Sequence, residues 1–121
     1  TGFGLFGHAL EMAEGSETGM TIRAAAVPVF SGVRPLAEEG IIPGGLIRNR
    51  TFREKQIDAA PDCPGWLIDI LFDPQTAGGL LIALPEEDAV RLVAGLHAAG
   101  VAAAAIIGEV TAGPKGRIRV E

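Results

Sequence analysis

The segment Asp73-Pro74-Gln75-Thr76-Ala77-Gly78-Gly79 sets a carboxylate, a carboxamide and a hydroxyl within four residues, just ahead of paired glycines. Proline fixes one backbone torsion and glycine tolerates unusual ones, so such a loop can hold a tight shape while presenting polar groups to a ligand. The bland alternative is a turn in which Asp73 and Thr76 satisfy nearby backbone groups. A second candidate is the local basic cluster Arg48, Asn49, Arg50, Arg53 and Lys55, directly after Pro43-Gly44-Gly45. Arginine forks match phosphate oxygens, which suits a nucleotide phosphate; a solvated loop or ion pairs to another domain would use the same residues. Gly2-Phe3-Gly4-Leu5-Phe6-Gly7 matches the G-x-G-x-x-G spacing of dinucleotide sites. That reading needs a preceding strand and an acidic residue about 20 positions later. Thr21-Ile22-Arg23 occupies that place. The milder expectation is a glycine-rich helix start whose free N–H groups face a phosphate or pack against another domain.

The remaining reactive residues do not complete a catalytic set. His8 and His97 sit on expected helices without partners at metal-ligand spacing, so neither argues for zinc. Cys63, the one cysteine, forms no internal disulfide, and nothing beside it in sequence lowers its pKa or supplies a base. There is no Walker-type lysine, no pair of metal-binding carboxylates and no nucleophile next to a base. The residues alone describe an α/β domain that is a nucleotide-facing lid or a docking module.

Several elements must position these groups. Apolar residues at spacings of three and four from Leu5 to Ala13 predict a helix, and Met20 to Val27 reads as a mostly buried strand. A short helix is expected around Arg34 to Glu39, then a break at Pro43-Gly44-Gly45 and a mixed polar stretch. Trp66 to Phe72 reads as a buried helix ended by Asp73-Pro74, and Gly79 to Leu84 as the next strand. Pro85 followed by Glu86, Glu87 and Asp88 starts a helix whose buried face is Ala89, Leu92, Val93 and Leu96 and which stops at Gly100. Ala105 to Val110 and Lys115 to Val120 read as the closing strands. Alternating helices and strands predict a layered α/β or α+β domain, a mixed sheet covered by helices.

With 121 residues, 48% apolar and 21% charged, the chain is expected to be one globular domain. A net charge of −5 gives no basic face for nucleic acid or an anionic membrane, so neither is expected as a partner. Without a signal peptide or a long apolar run, a cytoplasmic location is expected. The chain opens at Thr1 without an initiator Met, which reads as a piece of a longer polypeptide.

Three segments together resemble a known family: Thr1-Gly2-Phe3-Gly4-Leu5-Phe6-Gly7-His8 with Glu11-Met12, Pro43-Gly44-Gly45 with Arg48-Asn49, and Leu71-Phe72-Asp73-Pro74-Gln75-Thr76-Ala77-Gly78-Gly79-Leu80-Leu81. In order and spacing they are similar to the carboxy-terminal domain of selenophosphate synthetases, also called selenide, water dikinases. The same domain type occurs in aminoimidazole ribonucleotide synthetase, formylglycinamide ribonucleotide amidotransferase, thiamine-monophosphate kinase and a hydrogenase-maturation protein. Asp73 to Thr76 favours the selenium branch. The resemblance implies a partly ferredoxin-like fold and a parent enzyme making selenophosphate from selenide and ATP with Mg²⁺, releasing AMP and phosphate. It also implies a homodimer whose nucleophilic Cys or selenocysteine, lysine and most metal ligands lie in an amino-terminal ATP-binding domain. No ATP or Mg²⁺ is then expected on these 121 residues alone, and they are not expected to be an active enzyme by themselves.

The residues implied to face the nucleotide site are Thr1, Gly2, Phe3, Gly4, Arg48, Asn49, Asp73, Gln75, Thr76, Gly78 and Gly79, with no catalytic and no metal-binding residue. Two departures stand out. Ala77 replaces a more usual Ser and removes a hydroxyl, while Phe6 replaces a more usual Leu and changes packing only. The alternatives are the equivalent domain of another ATP-dependent member of the superfamily, or a non-catalytic interaction module.

Overall fold

The structure, a computed structural model, describes residues 2–121. The first helix, α1 (Gly4–Gly15), buries Phe6, Ala9, Leu10 and Ala13, the three-and-four spacing read from the sequence. β1 (Gly19–Ile22) follows and is shorter than the expected strand, because residues 24–26 wind into a 3₁₀ turn. After α2 (Val33–Glu38) comes α3 (Gly44–Arg53), where a polar stretch was expected. β2 (Ile57–Ala59), α4 (Gly65–Leu71), α5 (Glu86–Ala98), β3 (Gly108–Thr111) and β4 (Ile118–Val120) complete the order.

The four strands form one mixed sheet in the order β2-β4-β1-β3. β4 runs parallel to both neighbours, pairing Met20 with Ile118 on one side and Ile57 with Ile118 on the other, while β1 and β3 are antiparallel. This is the expected mixed α/β sheet with helices on it. The core joins α1, the sheet, α3 and α4: Phe6, Leu10, Leu46, Leu71, Phe72, Ile118 and Val120 are the largest fully buried side chains. Each stabilises the fold by about 1.5–3 kcal/mol through removal from water. The Phe6 and Phe72 rings meet edge to face with centroids 4.9 Å apart, which fixes the amino end of α1 against the end of α4.

Two expectations need correction. Gly79 to Leu84 joins no ladder of the sheet: a strand needs the N–H and C=O groups of a neighbour, and none of β1 to β4 aligns with it. Leu80 in this segment is 90% exposed, and only Leu81 packs on the core. The stripe Ala89, Leu92, Val93 and Leu96 on α5 lies on one side as read, yet it is only half-buried, since this helix closes no core of its own.

Candidate functional site

Helical periodicity sorts α3 into two faces. Leu46, Arg50 and Arg53 lie one turn apart on the inner side. Leu46 is fully buried, Arg50 pairs with Asp69 of α4 and, at 3.6 Å, with Glu54, and Arg53 pairs with Glu14 of α1 at 2.9 Å. Gln56 also donates to Glu14 at 2.7 Å; this hydrogen bond and the Arg53 guanidinium hold the Glu14 carboxyl below the usual carboxylate range. The basic cluster is therefore divided. Arg50 and Arg53 are bound into the fold, whereas Arg48 is exposed with no ion pair or side-chain hydrogen bond among the described residues.

The other face of α3 carries Gly45, Arg48, Asn49 and Phe52, and it meets two other segments. The Nδ2 group of Asn49 donates to the Gly2 carbonyl at 2.7 Å and to the Phe72 carbonyl at 3.0 Å. Gly45 lies against the Pro74 ring, where an added Cβ would stand 2.8 Å from Cγ. Gly4 closes the remaining side with φ +74°, and a Cβ there would lie 2.8 Å from the carbonyl carbon of Phe72 and 2.9 Å from the Asp73 oxygen. The three segments singled out in the sequence thus converge on one junction: the start of α1, the first turns of α3 and the end of α4 with the loop beyond it.

The junction gives most of the expected site residues a place. Gly2, Phe3, Gly4, Asn49 and Asp73 are brought together, and Arg48 stands beside them, its guanidinium nitrogens 3.8 and 3.6 Å from the Cβ positions that Gly44 and Gly45 lack. Gln75, Thr76, Gly78 and Gly79 continue outward as an exposed loop in which the Gln75 carboxamide lies over Gly78. Thr1 lies outside the described residues. A small hollow of about 60 Å³ opens between α1 and α3, lined by Phe3, Gly7, Glu11, Asn49, Phe52 and Arg53. Its walls are apolar at the rim, where Phe3 is 52% and Phe52 76% exposed.

Two readings left open by the sequence are now distinguishable. Gly4 and Gly7 permit close packing inside the chain, since a Cβ on Gly7 would lie 2.8 Å from that of Phe3. The glycine spacing is thus a packing signature, and a phosphate cradle is not needed to explain it. Asn49 is occupied by two backbone carbonyls, so its amide donors point into the protein. Sequence reasoning missed α3 as a helix and the exposed Phe52 beside the hollow. The available signal was Arg50 and Arg53 in the last turn, where cations meet the negative end of the helix dipole.

Asp73 is half-buried, and its carboxylate has neither an ion pair nor a side-chain hydrogen bond among the described residues. Burial pushes its carboxyl above the ordinary range. A carboxyl with a raised pKa in the fold favours the folded state fully below its unfolded pKa, and that contribution is lost as pH rises through the folded value. Asp73→Asn is therefore expected to raise the melting temperature of the 121-residue chain at pH 7 and to leave it unchanged at pH 3, as read by circular dichroism. A stabilised variant at pH 7 would mark Asp73 as a residue kept at a cost to the fold, the usual sign of a functional group.

No other cluster competes with this junction. Among the described residues, no three His, Cys, Asp or Glu side chains come together as a metal site. Cys63 lines an open groove of about 440 Å³ with Trp66, Val27 and Val29, and burial together with Asp62 pushes its thiol up, against a nucleophilic role. His8 is engaged with Glu11 at 3.2 Å, and His97 with the Ala104 carbonyl at 2.8 Å. No helix among the described residues is long and apolar enough to cross a membrane.

Residues 1–121 match the family described as AIR synthase related protein, C-terminal domain. The chain is 46% identical over 121 residues to a selenide, water dikinase of Pelobacter propionicus, covering all of this chain and 35% of that protein. It is 44% identical over 116 residues to a selenide, water dikinase of Clostridioides difficile, covering 96% of this chain and 33% of that protein. A selenide, water dikinase of Trichlorobacter lovleyi is 49% identical over 84 residues, 69% of this chain and 24% of that protein. The chain thus spans about a third of the length of the first two of these relatives.

Proposed function

Because the chain belongs to the AIR synthase related protein, C-terminal domain family, we propose that it is the carboxy-terminal domain of a selenide, water dikinase, acting as a lid on an upstream ATP-binding domain. The parent reaction in this reading converts selenide, ATP and water to selenophosphate, AMP and phosphate, in a homodimer. The observation that carries the reading is the junction: three separated segments are locked together there, while Arg48 and Asp73 beside it are left without partners. The Asp73 carboxylate is half-buried and still reached by solvent, and a ligand or another domain can pair with it there.

In this role Arg48 meets phosphate oxygens of the nucleotide, and Gln75 and Thr76 offer an amide and a hydroxyl from the exposed loop. Phe3 and Phe52 cover apolar surface of the docked domain and exclude water from the site between them. The contribution of the domain is orientation of the substrates, with bond making left to the upstream part. The described residues do not fit a Mg²⁺ site of their own, since no three His, Cys, Asp or Glu side chains come together among them. The ion's ligands are assigned to the upstream domain.

The test is ATP-dependent AMP formation with selenide and Mg²⁺, measured for the 121-residue chain alone and for the longer protein in which it is joined to an upstream half. Turnover is expected only in the joined protein. Turnover by the 121 residues alone would overturn the lid reading, and a joined protein that consumes ATP without selenide would point to another member of the superfamily.

A further inference from the structure

The two donors of Asn49 are spent on backbone carbonyls from places far apart in sequence: Gly2, 47 residues before it, and Phe72, 23 residues after it. Phe72 caps the carboxy end of α4, so its carbonyl has no partner further along that helix and is one of the orphan acceptors that every helix end leaves. Gly2 precedes α1 and lies in an irregular stretch that carries φ +90°. A carboxamide is the one short side chain with two N–H donors on a single nitrogen, so it can hold two acceptors at a fixed separation. Ser offers one donor, Asp none when ionised, and Leu none.

We propose that Asn49 is a positioning residue: it ties the approach into α1 to the end of α4, and thereby sets where Asp73 and the loop after it stand relative to Gly2. It touches no substrate. Its neighbours show why the tie matters. Gly4 and Gly45 allow close backbone and ring contacts on either side of it, and the Phe6–Phe72 ring pair and the Arg50–Asp69 ion pair also hold α4. The two Asn49 hydrogen bonds are directional, and they join α3 to the approach to α1 and to the end of α4 through one side chain. Adjacent residues on one helix then have separate duties, with Asn49 facing the protein and Arg48 facing outward.

This inference goes beyond the lid reading and rests on it only for a kinetic measurement. In the unmodified 121-residue chain, both Asn49 Nδ2 protons are expected to exchange with water about tenfold or more slowly than those of an exposed Asn side chain, by NMR. Asn49→Ala and Asn49→Asp are both expected to lower the melting temperature, with Asp the worse of the two, because its ionised oxygens would face two carbonyl oxygens. Fast exchange of both protons, or Asp tolerated as well as Asn, would overturn the proposal whether or not the longer protein makes selenophosphate. In that longer protein, Asn49→Asp is expected to lower kcat about 100-fold with KM for ATP within about twofold, as misplacement of a site predicts. A rise in KM at unchanged kcat would instead make Asn49 a nucleotide contact and overturn the positioning role.

Discussion

Gly4→Ala is expected to destabilise the chain by about 3 kcal/mol, lowering its melting temperature by about 10 °C. Two costs add. Gly4 has φ +74°, a region that costs an L residue about 1–2 kcal/mol. Its new Cβ would also stand 2.8 Å from the Phe72 carbonyl carbon and 2.9 Å from the Asp73 oxygen, and neither is the free end of a side chain that can swing away. Relieving that overlap by shifting the backbone costs roughly a further 1–3 kcal/mol. Gly2→Ala is the matched control: its φ is +90°, yet nothing lies within 4 Å of its Cβ position, so only the conformational cost of about 1–2 kcal/mol applies. Thermal unfolding of the two variants separates a junction built on contact from one built on torsion alone. Equal losses at both positions would mean that the close approach of α1 to α4 is not maintained in solution.

Arg48→Ala is expected to weaken ATP binding by the longer protein about 10–100-fold, the loss of one or two charge-assisted hydrogen bonds of roughly 1.5–3 kcal/mol. The control lies within the same helix. Arg50 and Arg53 have the same charge, but they are committed to Asp69, Glu54 and Glu14, so their replacement by Ala should lower the melting temperature and leave ATP affinity unchanged. Arg48→Lys should restore only part of the affinity, because an ammonium lacks the planar fork. Titration calorimetry on the three alanine variants reads this directly. An equal loss of affinity in all three would indicate a diffuse electrostatic attraction, and no loss at Arg48 would remove that residue from the site.

The helices with a continuous apolar seam were legible in the sequence because burial writes itself into spacing. Phe6, Ala9, Leu10 and Ala13 on α1 and Leu67, Ile68 and Leu71 on α4 are cases in point. α3 was not legible for the converse reason. It buries only Leu46 and is otherwise held by Arg50, Arg53 and Asn49, whose long-range partners Asp69, Glu14, Gly2 and Phe72 lie between 19 and 47 residues away. A period of hydrophobicity cannot report an interaction carried by ion pairs and a carboxamide. Gly79 to Leu84 failed in the opposite sense, since apolar residues that would suit a strand form one only when a neighbouring strand is there to pair with them. The candidate residues were named from their types and from the resemblance, and Gly2, Phe3, Gly4, Arg48, Asn49 and Asp73 stand at or beside the junction. Their roles were not visible: Asn49 reads as a ligand contact by type, and its two carbonyl partners show that it faces inward.

The position of β4 has a consequence for how the domain is made. Ile118–Val120 is last among the strands in sequence and lies between β1 and β2 in space, with both parallel ladders depending on it. On the ribosome β1 and β2 are synthesised long before the strand that joins them, and until it emerges they carry open edges of the kind that pair with other chains. The sheet is thus closed by the last of its own four strands to be translated. Synthesis stalled ahead of Ile118 would leave a chain that holds α1 and α4 but no completed sheet, a natural target for chaperones and proteases.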